Sequence, residues 1–147
     1  MAELNENDYK TLYESFHLFI WKQMEEDWTG GFSPLLAGLN LLDLRIIRNV
    51  SENESYTIRK LLQVLKIPDS TLTSAINRLE KKNIIMRTIN PEDRRSYILQ
   101  LTDYGKKVQK EHVNLDLYIV NKILSIFDNC EDQKNFIKLF EKVAKHL

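Results

Sequence analysis

Apolar side chains recur at spacings of three and four in the first part of the chain, which is the period of a helix with one buried face. Residues 8–27 follow this period and predict a first helix that ends near Gly30 and Gly31. The next such stripe predicts a helix that begins at Asn40, whose side chain can cap the free amides. Asp43 then lies in the first turn, where a negative charge suits the helix dipole.

Two short apolar stripes separated by a tight turn predict a helix-turn-helix. The first stripe begins at Thr57, a favourable N-cap residue, and ends before Pro68 because proline disfavours helical geometry in the residue that precedes it. The second covers residues 70–82, with Asp69 or Ser70 as its cap. Its inward positions are Leu72, Ala75, Ile76 and Leu79.

Two runs rich in β-branched and aromatic residues follow at residues 84–89 and 96–101, and they predict a β-hairpin with a polar tip. Thr102 then caps a long predicted helix that ends near residues 128–130, and a final helix carries apolar positions from Phe136 to Val143. This order of elements is a winged helix-turn-helix. The predicted fold class is therefore mainly α with a small β-hairpin wing.

One face of the predicted helix over residues 70–82 is wholly polar. Its outward positions can all form hydrogen bonds and are Ser70, Thr71, Thr73, Ser74, Asn77, Arg78, Lys81 and Lys82. Serine, threonine, asparagine and arginine suit base edges in a DNA major groove, and lysines suit phosphates. A solvated helix face is the alternative explanation. The hairpin tip favours DNA, because Arg94 and Arg95 could enter a narrow minor groove of negative potential.

The 147 residues include 21 basic and 21 acidic side chains, and this balance hides an uneven distribution. Residues 1–55 carry 4 basic and 10 acidic side chains, a net charge of −6. Residues 56–110 carry 12 and 5, a net charge of +7, and residues 111–147 carry 5 and 6. A basic centre between acidic flanks agrees with a polyanion partner for the centre and a different partner for the flanks. Local scatter of charge is the alternative.

Three segments of the basic centre resemble the MarR family of bacterial and archaeal transcriptional regulators. They are Leu79–Ile85, Asn90–Tyr97 with its Asp-Arg-Arg sequence, and Leu99–Lys106 with its Leu-Thr-x-x-Gly cap. The resemblance covers about residues 56–106. Lys66 and Asn83 stand where the family has glycine, and asparagine tolerates the left-handed backbone better than lysine does.

The resemblance implies a homodimer that binds a pseudo-palindromic operator in double-stranded DNA, with half-sites about one helical turn apart. Arg95 would enter the minor groove beside Arg94, and Asp93 would brace Arg95 by a charge-assisted bond. Lys81 and Lys82 are candidate phosphate contacts. The groove-facing set would be Ser70, Thr71, Thr73, Ser74, Asn77 and Arg78. Because repression is the family's commoner mode, we expect a repressor.

The family plan implies a single domain with three parts. Residues 1–55 would supply N-terminal helices for dimerisation and linkage, residues 56–102 the winged helix-turn-helix lobe, and residues 103–147 the C-terminal dimerisation helices. Acidic flanks fit this plan, since dimerisation helices held away from DNA can carry negative charge.

Many members of the family release DNA when they bind an effector, so a small-molecule effector is a candidate partner here. A candidate pocket would combine aromatic and polar side chains. These are Tyr13, Phe16, His17, Trp21, Trp28, Arg45, Arg48 and Tyr118. A dimer core is the alternative that we favour for most of the aromatic residues.

Redox and metal sensing are weaker alternatives. Cys130 is the single cysteine, and its acidic neighbours disfavour a reactive thiolate. His17, His112 and His146 lie far apart in the sequence without the paired spacing of metal ligands, so no metal site is predicted.

Other classes of protein are disfavoured by what the sequence lacks. It has no glycine-rich phosphate loop, metal-ligand motif or Ser-His-Asp candidate, so we expect neither an enzyme nor a cofactor. Its longest uncharged stretch, residues 28–42, is too short and too rich in glycine to cross a bilayer, so no membrane partner is expected. The acidic first eight residues do not resemble a secretory signal, and the expected location is the cytoplasm. A winged-helix protein-interaction module without DNA binding remains an alternative.

Overall fold

The computed structural model describes residues 4–25, 29–52 and 56–146, and this part of the chain contains six α-helices and a small antiparallel sheet. The helices are α1 (Glu6–Glu25), α2 (Leu41–Ser51), α3 (Ile58–Leu65), α4 (Asp69–Lys81), α5 (Asp103–Leu124) and α6 (Cys130–His146). The strands are β1 (Tyr56–Thr57), β2 (Ile85–Ile89) and β3 (Tyr97–Leu101). The predicted fold class, mainly α with a hairpin wing, is confirmed.

The sheet has the order β1-β3-β2, with β3 in the centre. Strands β2 and β3 form the predicted hairpin, with Ile85 opposite Leu101 and Ile89 opposite Tyr97. The third strand was not predicted: Tyr56 pairs with Leu99 and is buried. Two residues are too few to show the alternation by which a strand is recognised in a sequence. A one-turn 3-10 helix over Pro34–Leu36 was not predicted either.

Three of the predicted helix caps are confirmed and a fourth is wrong. Thr102 caps α5 by accepting from the Gly105 amide at 2.9 Å. Asn40 and Asp43 form a reciprocal capping box at α2, and Thr57 caps α3 by accepting from the Lys60 amide. At α4, the N-cap is Pro68 and no side-chain cap forms. Because the helix begins directly after the proline, Asp69 is already inside its first turn.

The backbone is left-handed at Lys66 and Asn83, the two positions where the MarR family has glycine. Asn83 has a φ of 55°, as predicted, and Lys66 has a φ of 51°. The Lys66 amide donates to the Leu62 carbonyl at 2.9 Å and so closes α3. Such a conformation costs a non-glycine residue about 1–2 kcal/mol. The turn between α3 and α4 therefore keeps its geometry despite the lysine.

The core of the winged lobe is formed where α2, α3 and α4 pack on the sheet. The four predicted inward positions of α4 are at most 1% exposed, which confirms its amphipathic pattern. They pack with residues that are also nearly inaccessible: Ile46, Ile47, Leu61, Ile84, Ile85 and Leu99. None of the described helices is both long and apolar enough to span a bilayer.

The chain divides into two compact units, residues 1–111 and residues 112–147. In the first, α1 covers most of the predicted helix over residues 8–27, although residues 26–28 lie outside the described part. In the second, the long helix ends at Leu124 and not near residues 128–130. Asn129 caps α6 by accepting from the Asp132 amide at 2.9 Å, so the preceding residues form the turn between the two helices.

Candidate nucleic-acid interface

The outer face of α4 presents five exposed polar side chains. They are Ser70, Thr71, Thr73, Ser74 and Asn77. The Thr73 hydroxyl donates to the Asp69 carboxylate at 3.3 Å. The hydroxyls of Ser70, Thr71 and Ser74 bond to no other residue in the described ranges, so they remain available to an external partner. Buried leucine and isoleucine side chains on the opposite side hold this face outward.

Arg78 differs from the other predicted groove-facing residues, because it is paired with a buried carboxylate. Its Nη2 lies 2.6 Å from Asp43 Oδ1 and its Nε lies 3.3 Å from Asp43 Oδ2. Asp43 is fully buried, whereas the Arg78 side chain is 39% exposed. The bond to Asp43 raises the pKa of Arg78 above its ordinary value. The bidentate pair joins α2 to α4 and uses the polar edge of the guanidinium that a base would otherwise occupy.

The position of Asp43 in the apolar pattern of α2 is the feature of the sequence that could have predicted this pair. Asp43 precedes Ile46, Ile47 and Val50 by three, four and seven residues, so the period of α2 places its carboxylate inside. A buried charge requires a partner of opposite charge, and a basic residue with one side toward the core was the candidate.

A second contact joins α4 to the wing. Arg87, on β2, donates from Nη2 to the Oδ1 atom of Asn77. The same nitrogen lies 3.0 Å from Glu80 Oε2. Arg87 shares its face of β2 with buried Ile85, which explains why its side chain reaches α4 and not solvent.

The two candidate phosphate contacts at the end of α4 differ in their surroundings. Lys81 is exposed and bonds to no other residue among those described. Lys82 is also exposed, but its Nζ lies 3.4 Å from the Gly38 carbonyl in the segment before α2.

The wing tip is held by its own hydrogen bonds. The Asn90 amide donates to the Ser96 carbonyl at 3.0 Å, and the Ser96 amide donates to the Asp93 carbonyl at 2.9 Å. The Asp93 carboxylate accepts from the backbone amide of Arg95 at 3.0 Å. This bond corrects the expected brace, in which the guanidinium of Arg95 was the donor. Asp93 orders the turn, and within the described chain the guanidinium groups of Arg94 and Arg95 form no ion pair.

The described residues of the predicted effector pocket lie on three different helices. Tyr13, Phe16, His17 and Trp21 are exposed on α1, with the ring centroids of Tyr13 and His17 4.4 Å apart. On α2, Arg45 is exposed and Arg48 pairs with Glu52. On α5, Tyr118 belongs to the second unit. Trp28 lies outside the described residues. The pocket stays a prediction.

The other candidate sensing residues do not converge. Cys130 is exposed at the start of α6. His112 is buried 3.6 Å from Asp116, and His146 contacts the Lys142 carbonyl. Among the residues that the structure describes, no three histidine, cysteine or acidic side chains form a group that could hold a metal ion.

Comparison with known proteins bears on the lobe just described. A model of the MarR family matches residues 39–97, from just before α2 to the first residue of β3. Over this segment the chain is similar to the MarR family. Its similarity to SarZ, a transcriptional regulator of Staphylococcus epidermidis, is 27% identity over 113 residues, 74% of this chain and 76% of SarZ.

Two solved structures share the fold along nearly the whole chain. YusO of Bacillus subtilis has a TM-score of 0.75 at 20% identity, covering 98% of this chain and 100% of YusO. CouR, a transcriptional repressor bound to a 23-mer DNA duplex, has a TM-score of 0.69 at 20% identity, and the match covers 97% of this chain and 99% of CouR. Of these proteins, SarZ is a transcriptional regulator and CouR is a transcriptional repressor, and neither is named as an enzyme.

Replacing Arg78 by methionine should destabilise the fold, because it leaves the buried Asp43 carboxylate without its cation. We expect the free energy of unfolding to fall by about 3 kcal/mol. This is the lower end of the roughly 3–5 kcal/mol that breaking a buried ion pair costs, because Arg78 is partly exposed. Urea unfolding followed by circular dichroism measures it. Lys81→Met, on the exposed side of α4, is the matched control and should cost under about 0.5 kcal/mol. Equal stability of the two variants would contradict the assigned role of the pair.

Proposed function

We propose that this protein is a transcriptional repressor that binds a pseudo-palindromic operator in double-stranded DNA as a homodimer. In each copy, α4 enters the major groove and the wing enters the adjacent minor groove. The observation that carries the proposal is the outer face of α4, where exposed hydroxyls and an amide lie over a fully buried apolar face. Base edges are read by side chains of these types.

The wing supports the same proposal by a different feature. A tip ordered by its own hydrogen bonds presents Arg94 and Arg95, whose guanidinium groups form no ion pair within the described chain. A guanidinium inserted into a narrow minor groove gains from the negative potential there. Lys81 adds a cation at the end of α4 for the phosphate backbone, and CouR, which shares the fold, is bound to a DNA duplex in its structure.

Exposed apolar surface on the terminal helices supports the homodimer. On α1, Tyr9, Leu12, Tyr13, Phe16, Phe19 and Trp21 are each more than half exposed. On α6, Ile137, Leu139, Phe140 and Val143 are also more than half exposed. Large contiguous apolar patches mark interaction surfaces in soluble proteins. A second copy of the chain would cover the patches in both partners at once.

An effector that releases DNA is a secondary part of the proposal. The ring contacts of Tyr13 and Phe16 with His17 give α1 an aromatic surface with one polar edge, which suits an aromatic ligand. The same side chains could instead pack in the dimer interface. A side chain that is buried against the second copy cannot also contact an effector. A regulator that binds chromosomal DNA would act in the cytoplasm.

Binding to DNA should weaken steeply as salt rises, because phosphate contacts release condensed cations. The logarithm of the association constant should fall by about 0.9 for each phosphate contact per unit of log salt. Fluorescence anisotropy between low and moderate salt measures this slope, using duplexes recovered by selection from a randomised library and an unselected duplex of equal length. Affinities that stay flat for every duplex would favour the protein-interaction module instead.

Replacing Arg95 by alanine should weaken binding to the selected duplex by about 1–3 kcal/mol, or about 5- to 150-fold, if the wing reads the minor groove. Titration of the same labelled duplex measures the loss. Lys134→Ala, which removes an exposed cation from α6 in the second unit, is the control and should leave affinity unchanged. An unchanged affinity of Arg95→Ala would remove Arg95 from the interface.

The chain should have twice its single-chain mass in solution at micromolar concentration, as measured by light scattering. Phe140→Glu should shift the protein toward the monomer, since it buries an unpaired charge in the proposed interface. Lys138→Glu changes charge on the same helix at a position outside the apolar patch, and it should remain dimeric. A monomeric unmodified protein would contradict the homodimer.

A further inference from the structure

The amide of Asn77 is oriented by the wing, and its orientation limits what it can offer to DNA. Arg87 contacts Asn77 with a guanidinium, a group that has only hydrogen-bond donors. The Asn77 atom that faces it must therefore be the carbonyl oxygen, so the assignment of the two ends of the amide follows from chemistry. The Nδ2 group, with two donor hydrogens, points away and has no other partner in the described part of the chain.

Arg87 is itself held in a position that maintains this contact. Its side chain is 27% exposed, and its Nη2 atom is shared between Asn77 and Glu80. Its Nε atom is buried and has no hydrogen-bond partner among the described residues. The Nη2 atom therefore provides the only polar contacts that the structure records for this guanidinium. Releasing Asn77 would cost Arg87 one of those two contacts, which favours the observed orientation.

We propose that Asn77 reads the major groove through its Nδ2 donors and selects guanine at its base position. This inference rests on the proposed function, because it assigns a base preference to the outer face of α4. An unrestrained asparagine pairs with adenine by accepting from N6 and donating to N7. Because the contact turns Oδ1 toward Arg87 and occupies one of its two lone pairs, the donor half of that pattern is the half that Asn77 keeps fully available. Guanine presents two adjacent acceptors, N7 and O6, whereas cytosine presents a donor.

The wing consequently contributes to specificity in the major groove without entering it. Arg87 lies on β2 and is a positioning residue, since it acts on DNA through the amide of Asn77. Hydrogen bonding at the carbonyl also polarises the amide and strengthens its N–H donors. Lysine or glutamine at position 87 would keep one donor with a different reach, whereas an apolar side chain would release the amide.

Selection from a randomised duplex library, followed by sequencing of the bound pool, tests the inference. Comparing the unmodified protein with Asn77→Ala locates the base pair that Asn77 contacts, because only its preference should disappear. We expect guanine there, favoured about 10-fold over adenine. Adenine at that position in the unmodified protein would overturn the inference.

Arg87→Met, which removes every donor while keeping a side chain of comparable length, tests the role of Arg87. The preference at the Asn77 position should change from guanine toward adenine, and the other positions should stay the same. Glu80→Gln is the matched control. It removes the charge of Glu80, the second partner of Arg87, and leaves the bond between Arg87 and Asn77. A guanine preference that survives in Arg87→Met would overturn the inference.

Asn77→Asp keeps the test decisive if Arg87→Met fails to fold. An aspartate retains an acceptor for Arg87 and forms a charge-assisted pair, so the fold should persist. It has no donor to offer, and the guanine preference should be lost. Retained guanine preference in this variant would overturn the inference.

Failure of the proposed function would look different. An unmodified protein that enriches no sequence contradicts DNA recognition, and the base preference falls with it. The geometric basis is measured separately, without DNA, from the side-chain amide NMR signal of Asn77 in the free protein. That signal should shift in Arg87→Met and remain in place in Lys81→Met. An Asn77 signal that does not respond to Arg87→Met would overturn the inference even if the protein binds DNA.

Discussion

The orientation of α4 depends on one buried ion pair. Asp43 has no access to solvent, so its charge is tolerable only while Arg78 and the Asn40 amide bond to it. The same carboxylate closes the capping box at the start of α2. A change in the angle between α2 and α4 would therefore disrupt a helix cap and a charge pair together. The geometry is fixed more firmly than apolar packing alone would fix it, because bidentate pairs are directional.

A second junction fixes the wing relative to the same helix. The Thr102 hydroxyl donates to the Asn83 carbonyl at 2.6 Å and accepts from the Gly105 amide at 2.9 Å, which joins the end of α4 to the start of α5. A Cβ atom on Gly105 would lie 2.0 Å from the Ile84 carbonyl oxygen, so only glycine allows this approach. Together with the contact between Arg87 and Asn77, the junction makes α4 and the hairpin behave as one body.

The sequence was sufficient to predict features that depend on local chemistry. The amphipathic pattern of α4, the caps at Asn40 and Thr57, the left-handed Asn83 and the hairpin all follow from residues close together in the chain. Features that depend on distant partners were missed. The pairing of Arg78 with Asp43 spans 35 residues, and β1 exists only because β3 offers an edge to Tyr56. Asp93 was predicted in part. Its contact with Arg95 was expected, but its carboxylate accepts from the backbone amide of Arg95 and not from the guanidinium.

The ion pairs in the structure change what the distribution of charge along the sequence means. The basic centre of the sequence, with its net charge of +7, counts Arg78 and Arg87 as cations that a polyanion could meet. Both are paired with carboxylates, Arg78 with a residue from the acidic N-terminal segment. Their role is to hold α4 and the outer face in place. Because Asp43 lies outside the basic centre, its pairing with Arg78 lowers the unpaired positive charge below +7, and Arg94, Arg95 and Lys81 are among the exposed cations of the basic centre that have no ion pair in the described chain. The cations that hold α4 in place, Arg78 and Arg87, are therefore different residues from the exposed cations Arg94, Arg95 and Lys81.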